Sequence, residues 1–274
     1  MPEMPEVETI RLQLEKHVIG QKIEDVEISL PRLFKWPEAS DAKAYLLHQT
    51  ITALERRGKY LLFRLSNGRI LVIHLRMTGR LYYQDAIARR DAYTRIVFQL
   101  SQGNVLIYAD TRTLGTLYVV SEGEISRISG LATLGPEPLA ADFTLEYFAS
   151  QLQNRQGKIK SLLLNQQIVG GLGNIYVDES LAVAQIHPER RACELSQAEV
   201  ARLYAAVNQV IHDGIVDGGT TFRDYRNSEG KIGQHQNHLW VYGQTGRPCQ
   251  RCGQLIEKIV VAGRGTHFCP HCQK

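Results

Sequence analysis

Two groups of residues in this chain are of types and spacings that could do chemistry. The first is the opening run Met1-Pro2-Glu3-Met4-Pro5-Glu6-Val7-Glu8. Loss of a methionine that precedes proline would leave Pro2 with a free secondary amine beside the carboxylate of Glu3. A terminal amine has a pKa of about 7.7 to 8, so a share of it is neutral and nucleophilic near neutral pH without burial. The same residues also suit an ordinary helix start, with Pro5 at a first helical position and Glu6 and Glu8 at the positive end of the dipole. The second group is Cys249-x2-Cys252, sixteen residues, then Cys269-x2-Cys272. That spacing reads as a four-thiolate zinc site rather than a disulfide framework. Four thiolates leave no open position for a catalytic water, so such a zinc is structural, which argues against a zinc hydrolase or deaminase. The 24 residues from Cys249 to Cys272 cannot bury a core, and the metal would supply the folding energy, about 10–16 kcal/mol in small fingers. Cys193 stands apart and reads as a small hydrophobe.

Both groups need a scaffold. At 274 residues and 43% hydrophobic, the chain has material for two domains. No apolar run approaches the roughly 18 residues of a spanning helix, and the N-terminus lacks a basic-then-apolar signal, so a cytoplasmic location is expected. The +4 charge lies in the second half: residues 1–150 carry 18 basic and 18 acidic side chains, residues 151–274 carry 14 and 10. This balance permits a polyanionic partner without demanding one.

Val7, Ile10, Leu14 and Val18 have the spacing of one helical face, with Gly20 placed to stop the helix. Short runs rich in β-branched and aromatic residues follow: 60–65, 70–75, 93–100, 105–108 and 116–120. Turn signals at Asn67-Gly68 and Gly103-Asn104 point to an antiparallel sandwich or barrel. Leu134-Gly-Pro-Glu-Pro-Leu139 interrupts all periodicity and marks a domain boundary. Helices are expected over 144–152, 159–164 and 175–184, and a longer one after the capping box Ser196-x-x-Glu199. The glycine-rich turn Val169-Gly-Gly-Leu-Gly173-Asn174 either offers backbone N–H groups to an anion or packs tightly. The polar stretch 218–236 is long for a loop inside a compact domain, which suggests function or partial disorder. Lys258 to Phe268 reads as a β-hairpin with Gly263-Arg264-Gly265 at its tip.

In order along the chain, these features resemble the bacterial formamidopyrimidine-DNA glycosylases, enzymes that excise oxidised purines. The resemblance covers nearly the whole chain. It is carried by Pro2-Glu3 with Pro5-Glu-Val-Glu-Thr9, Glu55-Arg-Arg-Gly-Lys59-Tyr60, His74-Leu-Arg-Met77-x-Gly79, Asp110-x-Arg112, Gly171-Leu-Gly-Asn174-Ile-Tyr-x-Asp-Glu179, Ile186-His-Pro188, Val241-Tyr-Gly and Gly263-Arg264-Gly-Thr-x-x-Cys269-Pro-x-Cys272. It implies an α+β fold with an N-terminal helix and antiparallel β-sandwich domain over 1–134 and a helical helix-two-turn-helix domain over 135–217. A lesion-capping loop over 218–236 and a β-hairpin zinc finger over 237–274 would complete it.

The implied activity is that of a base-excision repair glycosylase with an attached abasic-site lyase. It would act as a monomer with one structural Zn2+ on double-stranded DNA carrying oxidised purines or abasic sites, and so associate with the nucleoid. By the same resemblance Pro2 would attack the sugar C1′, Glu3 would move protons, Glu6 would brace both, and Lys59 would approach the lesion and its flanking phosphate. Met77 would fill the space of the extruded nucleotide and Arg112 face the partner base. Leu114, where phenylalanine is usual, would split the neighbouring step, and Thr113 stands where a basic residue is common. Lys160, Asn174 and Arg264 would contact phosphates, Arg264 also serving the catalytic centre. Thr220, Thr221, Arg223 and Tyr225 would belong to the loop over the lesion. Outside these motifs Lys59 would read as a solvated lysine, and Met77 and Leu114 as core. Two alternatives stay open: the related oxidised-pyrimidine glycosylase, and a non-enzymatic zinc-dependent nucleic-acid binder.

Overall fold

The computed structural model describes residues 1–85, 90–222 and 225–274. They form two compact units: Met1–Ala132 with Asp217–Gln234, and Thr133–Val216 with His235–Lys274.

In the first unit, helix α1 (Met4–Val18) starts from Glu3 as N-cap, with a proline in its first turn. Val7, Ile10, Leu14 and Val18 are all buried, each worth roughly 1.5–3 kcal/mol on removal from water. Gly20, at φ 82, turns the chain away, and its N–H bonds to Ile51 O at 2.8 Å. There follow β1 (Ile23–Ile28), β2 (Phe34–Trp36), α2 (Ala39–Leu46), β3 (Ile51–Arg57), β4 (Tyr60–Leu65), β5 (Arg69–His74), β6 (Gly79–Asp85), β7 (Thr94–Leu100), β8 (Asn104–Asp110), β9 (Thr116–Ser121) and the short α3 (Ser129–Ala132). One sheet has the order β1-β7-β8-β6, the other β2-β9-β5-β4-β3. All pairings are antiparallel except β2 with β9, which is parallel.

The period of two explains why the predicted runs are continuously apolar. On β4 and β5, Leu61, Phe63, Leu65, Leu71 and Ile73 join α1 in the main core. Tyr60, Leu62, Ile70 and Val72 point the other way and are covered by Ile128 and Leu131. A strand buried on both faces has no polar side to alternate. Strands β1, β2, β3 and β6 and helix α2 lie outside the predicted runs. Register irregularities between Ile23 and Asp25 and between Ile51 and Ala53 break the alternation in β1 and β3.

The second unit holds α4 (Leu145–Leu152), α5 (Ile159–Leu163), α6 (Asn174–Ala184) and α7 (Gln197–Val216). Thr144 caps α4 through Tyr147 N–H at 3.1 Å. Before α7 the expected capping box forms, Glu199 Oε2 accepting from Ser196 N–H at 2.8 Å and Ser196 Oγ from Glu199 N–H at 3.3 Å. Helices α5 and α6 are joined by the glycine-rich turn, and the hairpin β10 (Glu257–Val261) and β11 (Arg264–Phe268) follows near the C-terminus. Val261 pairs with Arg264, so the turn is Ala262-Gly263, at φ 51 and 70, the left-handed pair that a two-residue hairpin needs. The expected tip Gly263-Arg264-Gly265 is corrected by this register: Arg264 is the exposed first residue of β11.

Candidate active site

Pro2 and Glu3 are buried at the front of α1, and Glu6, one turn in, is 0% exposed. A buried carboxylate must be hydrogen-bonded. Glu6 accepts from the backbone N–H of Glu3 at 2.7 Å with one oxygen and from that of Thr220 at 2.7 Å with the other. One side chain thus ties the start of the chain to the polar stretch 217–234. Gly219 makes this approach possible: its φ is +84, and a Cβ there would stand 2.9 Å from Glu6 Cγ.

The polar stretch is a built loop. Gln234 N–H bonds Asp217 O at 2.9 Å, and Thr221 Oγ1 accepts from Gly233 N–H at 3.0 Å while donating to Tyr225 O at 3.2 Å. Gln13 of α1 accepts from both the N–H and the hydroxyl of Ser228, at 3.1 and 2.9 Å. Thr220 is buried and Phe222 exposed. Tyr225 corrects its sequence assignment: its ring belongs to the core beside α1, and its hydroxyl donates to Gly218 O at 3.2 Å. Burial and the adjacent Glu6 charge push its phenol well above the ordinary value. Arg223 lies outside the described residues.

Lys59 is buried at the turn into β4 and is one of two cations bearing on His74. Burial, then Arg76 and Lys59, push His74 down to about 3. Its Nδ1 accepts from Arg76 N–H at 3.0 Å, so the neutral ring carries its proton on Nε2. Beyond His74 the chain turns outward. Met77 and Leu114 are 41% and 46% exposed, and Arg112 is exposed as well. None is core, so the bland reading of Met77 and Leu114 fails. The loops that carry them, 75–79 and 111–115, both hang from Asp110. Thr113 is left-handed at φ 54, and its hydroxyl accepts from Arg32 at 2.5 Å.

In the second unit the four expected cysteines converge, with all Sγ atoms within 4.8 Å of one another. Cys249 to Cys272 is 3.9 Å and Cys252 to Cys269 is 3.5 Å. These are close to the ~3.8 Å edge of a zinc–thiolate tetrahedron and too long for a disulfide of about 2.05 Å. The donor set fits one structural Zn2+. Helix α6 fixes the hairpin. Glu179 accepts the N–H groups of Trp240, Val241 and Tyr242 at 2.7, 3.0 and 2.8 Å, although burial pushes it up to about 7. Asp178 accepts from His267 N–H at 2.9 Å with one oxygen and from Lys160 Nζ at 2.6 Å with the other. Lys160 and Asp178 are both 0% exposed. The expectation of Lys160 as a phosphate contact is corrected accordingly: its ammonium is turned inward, toward Asp178 and Gly265 O. Asn174, first residue of α6, donates its amide to Gly265 O at 2.8 Å, which leaves the helix N-terminus beside β11.

Sequence reasoning did not single out Gln13, Thr78 or Gly219. A glycine pair at 218–219 was the available signal for the last.

Residues 1–117 match the formamidopyrimidine-DNA glycosylase N-terminal domain, residues 134–226 the formamidopyrimidine-DNA glycosylase H2TH domain, and residues 246–274 a zinc finger found in FPG and IleRS. That set of domains defines a helix-two-turn-helix, zinc-finger class. Formamidopyrimidine-DNA glycosylase of Heliobacterium modesticaldum is 47% identical over 278 residues, with 100% of each chain covered. That of Pelotomaculum thermopropionicum is 45% identical over 277 residues, covering 100% of this chain and 99% of the relative. A crystal structure of a Lactococcus lactis FPG mutant in complex with Fapy-dG-containing DNA superposes with a TM-score of 0.93 at 41% identity, with 100% of both chains covered. The chain belongs to the formamidopyrimidine-DNA glycosylase family.

Proposed function

We propose that this protein removes oxidised purines, formamidopyrimidines and 8-oxoguanine, from double-stranded DNA and cleaves the strand at the abasic site, using Pro2 as nucleophile. The observation that carries this is the buried Pro2-Glu3 start, locked by Glu6 to Thr220 of the polar loop, in a chain that matches the family end to end. The domain division proposed is 1–134, 135–217, the lesion loop 218–236 and 237–274, acting as a monomer on nucleoid DNA in the cytoplasm.

Once Met1 is removed, the Pro2 lone pair forms a bond to C1′ as the glycosidic bond breaks and the base departs with a proton. Glu3 donates a proton to the ring oxygen, the sugar opens, and the secondary amine becomes a charged iminium. That cation acidifies the neighbouring C2′–H, and loss of its proton to a carboxylate expels the 3′ phosphate. Glu6 holds the backbone of Glu3 and the loop at Thr220 and Thr221. Reaching C1′ requires extruding the nucleotide, at a cost of a few kcal/mol. Met77 fills the vacated space, Arg112 faces the partner base and Leu114 enters the adjacent step. Lys59, Arg264 and the N-terminus of α6 at Asn174 contact phosphate. Cys249, Cys252, Cys269 and Cys272 would hold one Zn2+, which stiffens the strand that presents Arg264.

Borohydride added with a lesion-bearing duplex should trap a covalent complex whose linked peptide begins at Pro2, on a protein lighter by one methionine. Retention of Met1, or no trapped species with any oxidised or abasic substrate, would favour a non-enzymatic binder. Rates on matched purine and pyrimidine lesions test the substrate class.

A further inference from the structure

Asp110 ends β8 and is fully buried. Its carboxylate gathers the two loops that carry Met77 and Arg112. Oδ1 accepts from the Thr78 hydroxyl at 2.6 Å and from Arg112 N–H at 3.2 Å. Oδ2 accepts from Gly115 N–H at 2.9 Å and from the Tyr108 hydroxyl at 3.2 Å. The Thr78 oxygen in turn accepts from Arg112 N–H at 3.1 Å. The hydroxyl of Thr78 therefore stands between the loops, giving its proton to Asp110 and taking a hydrogen bond from Arg112.

The surroundings leave this arrangement little room to relax. A Cβ at Gly115 would lie 1.6 Å from Tyr108 Oη, and one at Gly79 would lie 2.4 Å from Leu75 O. Arg76 and Thr113, one on each loop, are left-handed at φ 55 and 54. Such conformations persist in side-chain-bearing residues where the surroundings over-determine them.

The geometry points to Asp110 as a positioning residue for nucleotide extrusion: it fixes the Met77 loop against the Arg112–Leu114 loop, so that the three side chains enter the duplex as one preset wedge. The inference rests on the wedge roles proposed above. A wedge is worth its binding energy only if its shape exists before it meets DNA, because ordering two loops at the moment of insertion would subtract from it. Charge-assisted hydrogen bonds inside the fold are suited to that task. Amine chemistry at an abasic sugar in single-stranded DNA needs no wedge and has no partner base to read.

The test uses full-length, zinc-loaded protein and the variants Asp110→Asn, Thr78→Val, Thr78→Ser and Met77→Ala. Single-turnover rates are measured on an oxidised-guanine duplex with each of four opposite bases and on a single-stranded abasic oligonucleotide. Asp110→Asn turns an amide donor toward the Gly115 N–H, and Thr78→Val removes the bridging hydroxyl. Both should slow duplex excision by about tenfold or more and narrow the spread across opposite bases, while single-strand cleavage stays within about twofold of wild type. Thr78→Ser, which keeps the hydroxyl, should restore the duplex rate. An equal loss on both substrates, or an unchanged duplex rate, overturns the inference. Should Asp110→Asn fail to fold, the Thr78 pair decides. Wild-type duplex rates for Met77→Ala would instead remove the wedge reading itself, whereas a slow Met77→Ala beside unaffected Asp110 and Thr78 variants would remove only the role of Asp110.

Discussion

Lys160→Met separates two roles for a lysine that the sequence placed on DNA and the fold places inside the protein. The substitution keeps most of the side-chain stem and deletes the ammonium, leaving the Asp178 carboxylate oxygen that it met at 2.6 Å without that partner. Both side chains are 0% exposed, so solvent cannot take over. Removing one member of a buried pair costs about 3–5 kcal/mol. The other oxygen of Asp178 keeps the His267 N–H at 2.9 Å, which favours the lower end, about 3 kcal/mol. With an m-value near 3 kcal/mol/M, the urea midpoint should fall by about 1 M. A lysine on phosphate would behave differently, because each released counterion contributes about 0.9 to the slope of log K against log salt. Duplex affinity of Lys160→Met measured across a salt series should retain the wild-type slope. A slope lower by about 0.9 with an unchanged urea midpoint would return Lys160 to the phosphate backbone and refute the buried-pair assignment.

Arg264→Ala should show the opposite pattern, a reduced salt slope and slower turnover with the unfolding midpoint and zinc content unchanged; loss of the metal would show Arg264 to be structural. Glu6→Gln keeps the shape but turns an NH2 group toward one of the two N–H groups that the carboxylate satisfied. It should cost about 1–3 kcal/mol, reduce strand cleavage, and speed amide exchange at Thr220; unchanged exchange there would count against Glu6 as the loop anchor. His74 supplies a pH dependence. Its pKa is pushed down to about 3 in the folded protein by burial and by Arg76 and Lys59, against about 6.5 unfolded. Between those values the unfolded chain holds a proton that the folded chain does not, so the contribution is complete above about pH 6.5 and is lost as pH falls toward 3. Urea midpoints at pH 7 and pH 5 should fall less on acidification in His74→Gln than in wild type, and equal falls would refute the buried neutral ring.

What could be read from residues alone divides along a physical line. Helix α1, the predicted apolar strands and the cysteine quartet were legible because each is specified within a short window: a period of 3.6, two-sided burial, a fixed ligand spacing. Lys160 was misread for the opposite reason. A lysine beside a glycine-rich turn looks like an anion site, and only the arrival of Asp178 from the next helix, eighteen positions away, shows that the anion it meets is internal. Tyr225 is similar, since a tyrosine in a polar run gives no sign that a helix more than two hundred residues earlier is waiting for its ring. Asp110 was visible as half of a motif with Arg112, but its use depends on Thr78 from another loop. Met77 and Leu114 are the instructive pair. By composition they belong in a core, and the fold exposes them on loops whose backbones it has made unusually costly to move. Exposed apolar tips on rigid supports describe a part made to be inserted into something. That is why the departure at Leu114 matters: leucine keeps the volume that parts two bases and loses the ring face that would stack on one. If extrusion depends on separation, Leu114→Phe should leave duplex excision unchanged; if it depends on stacking, the substitution should raise it, and single-turnover rates on one lesion duplex would tell the two apart.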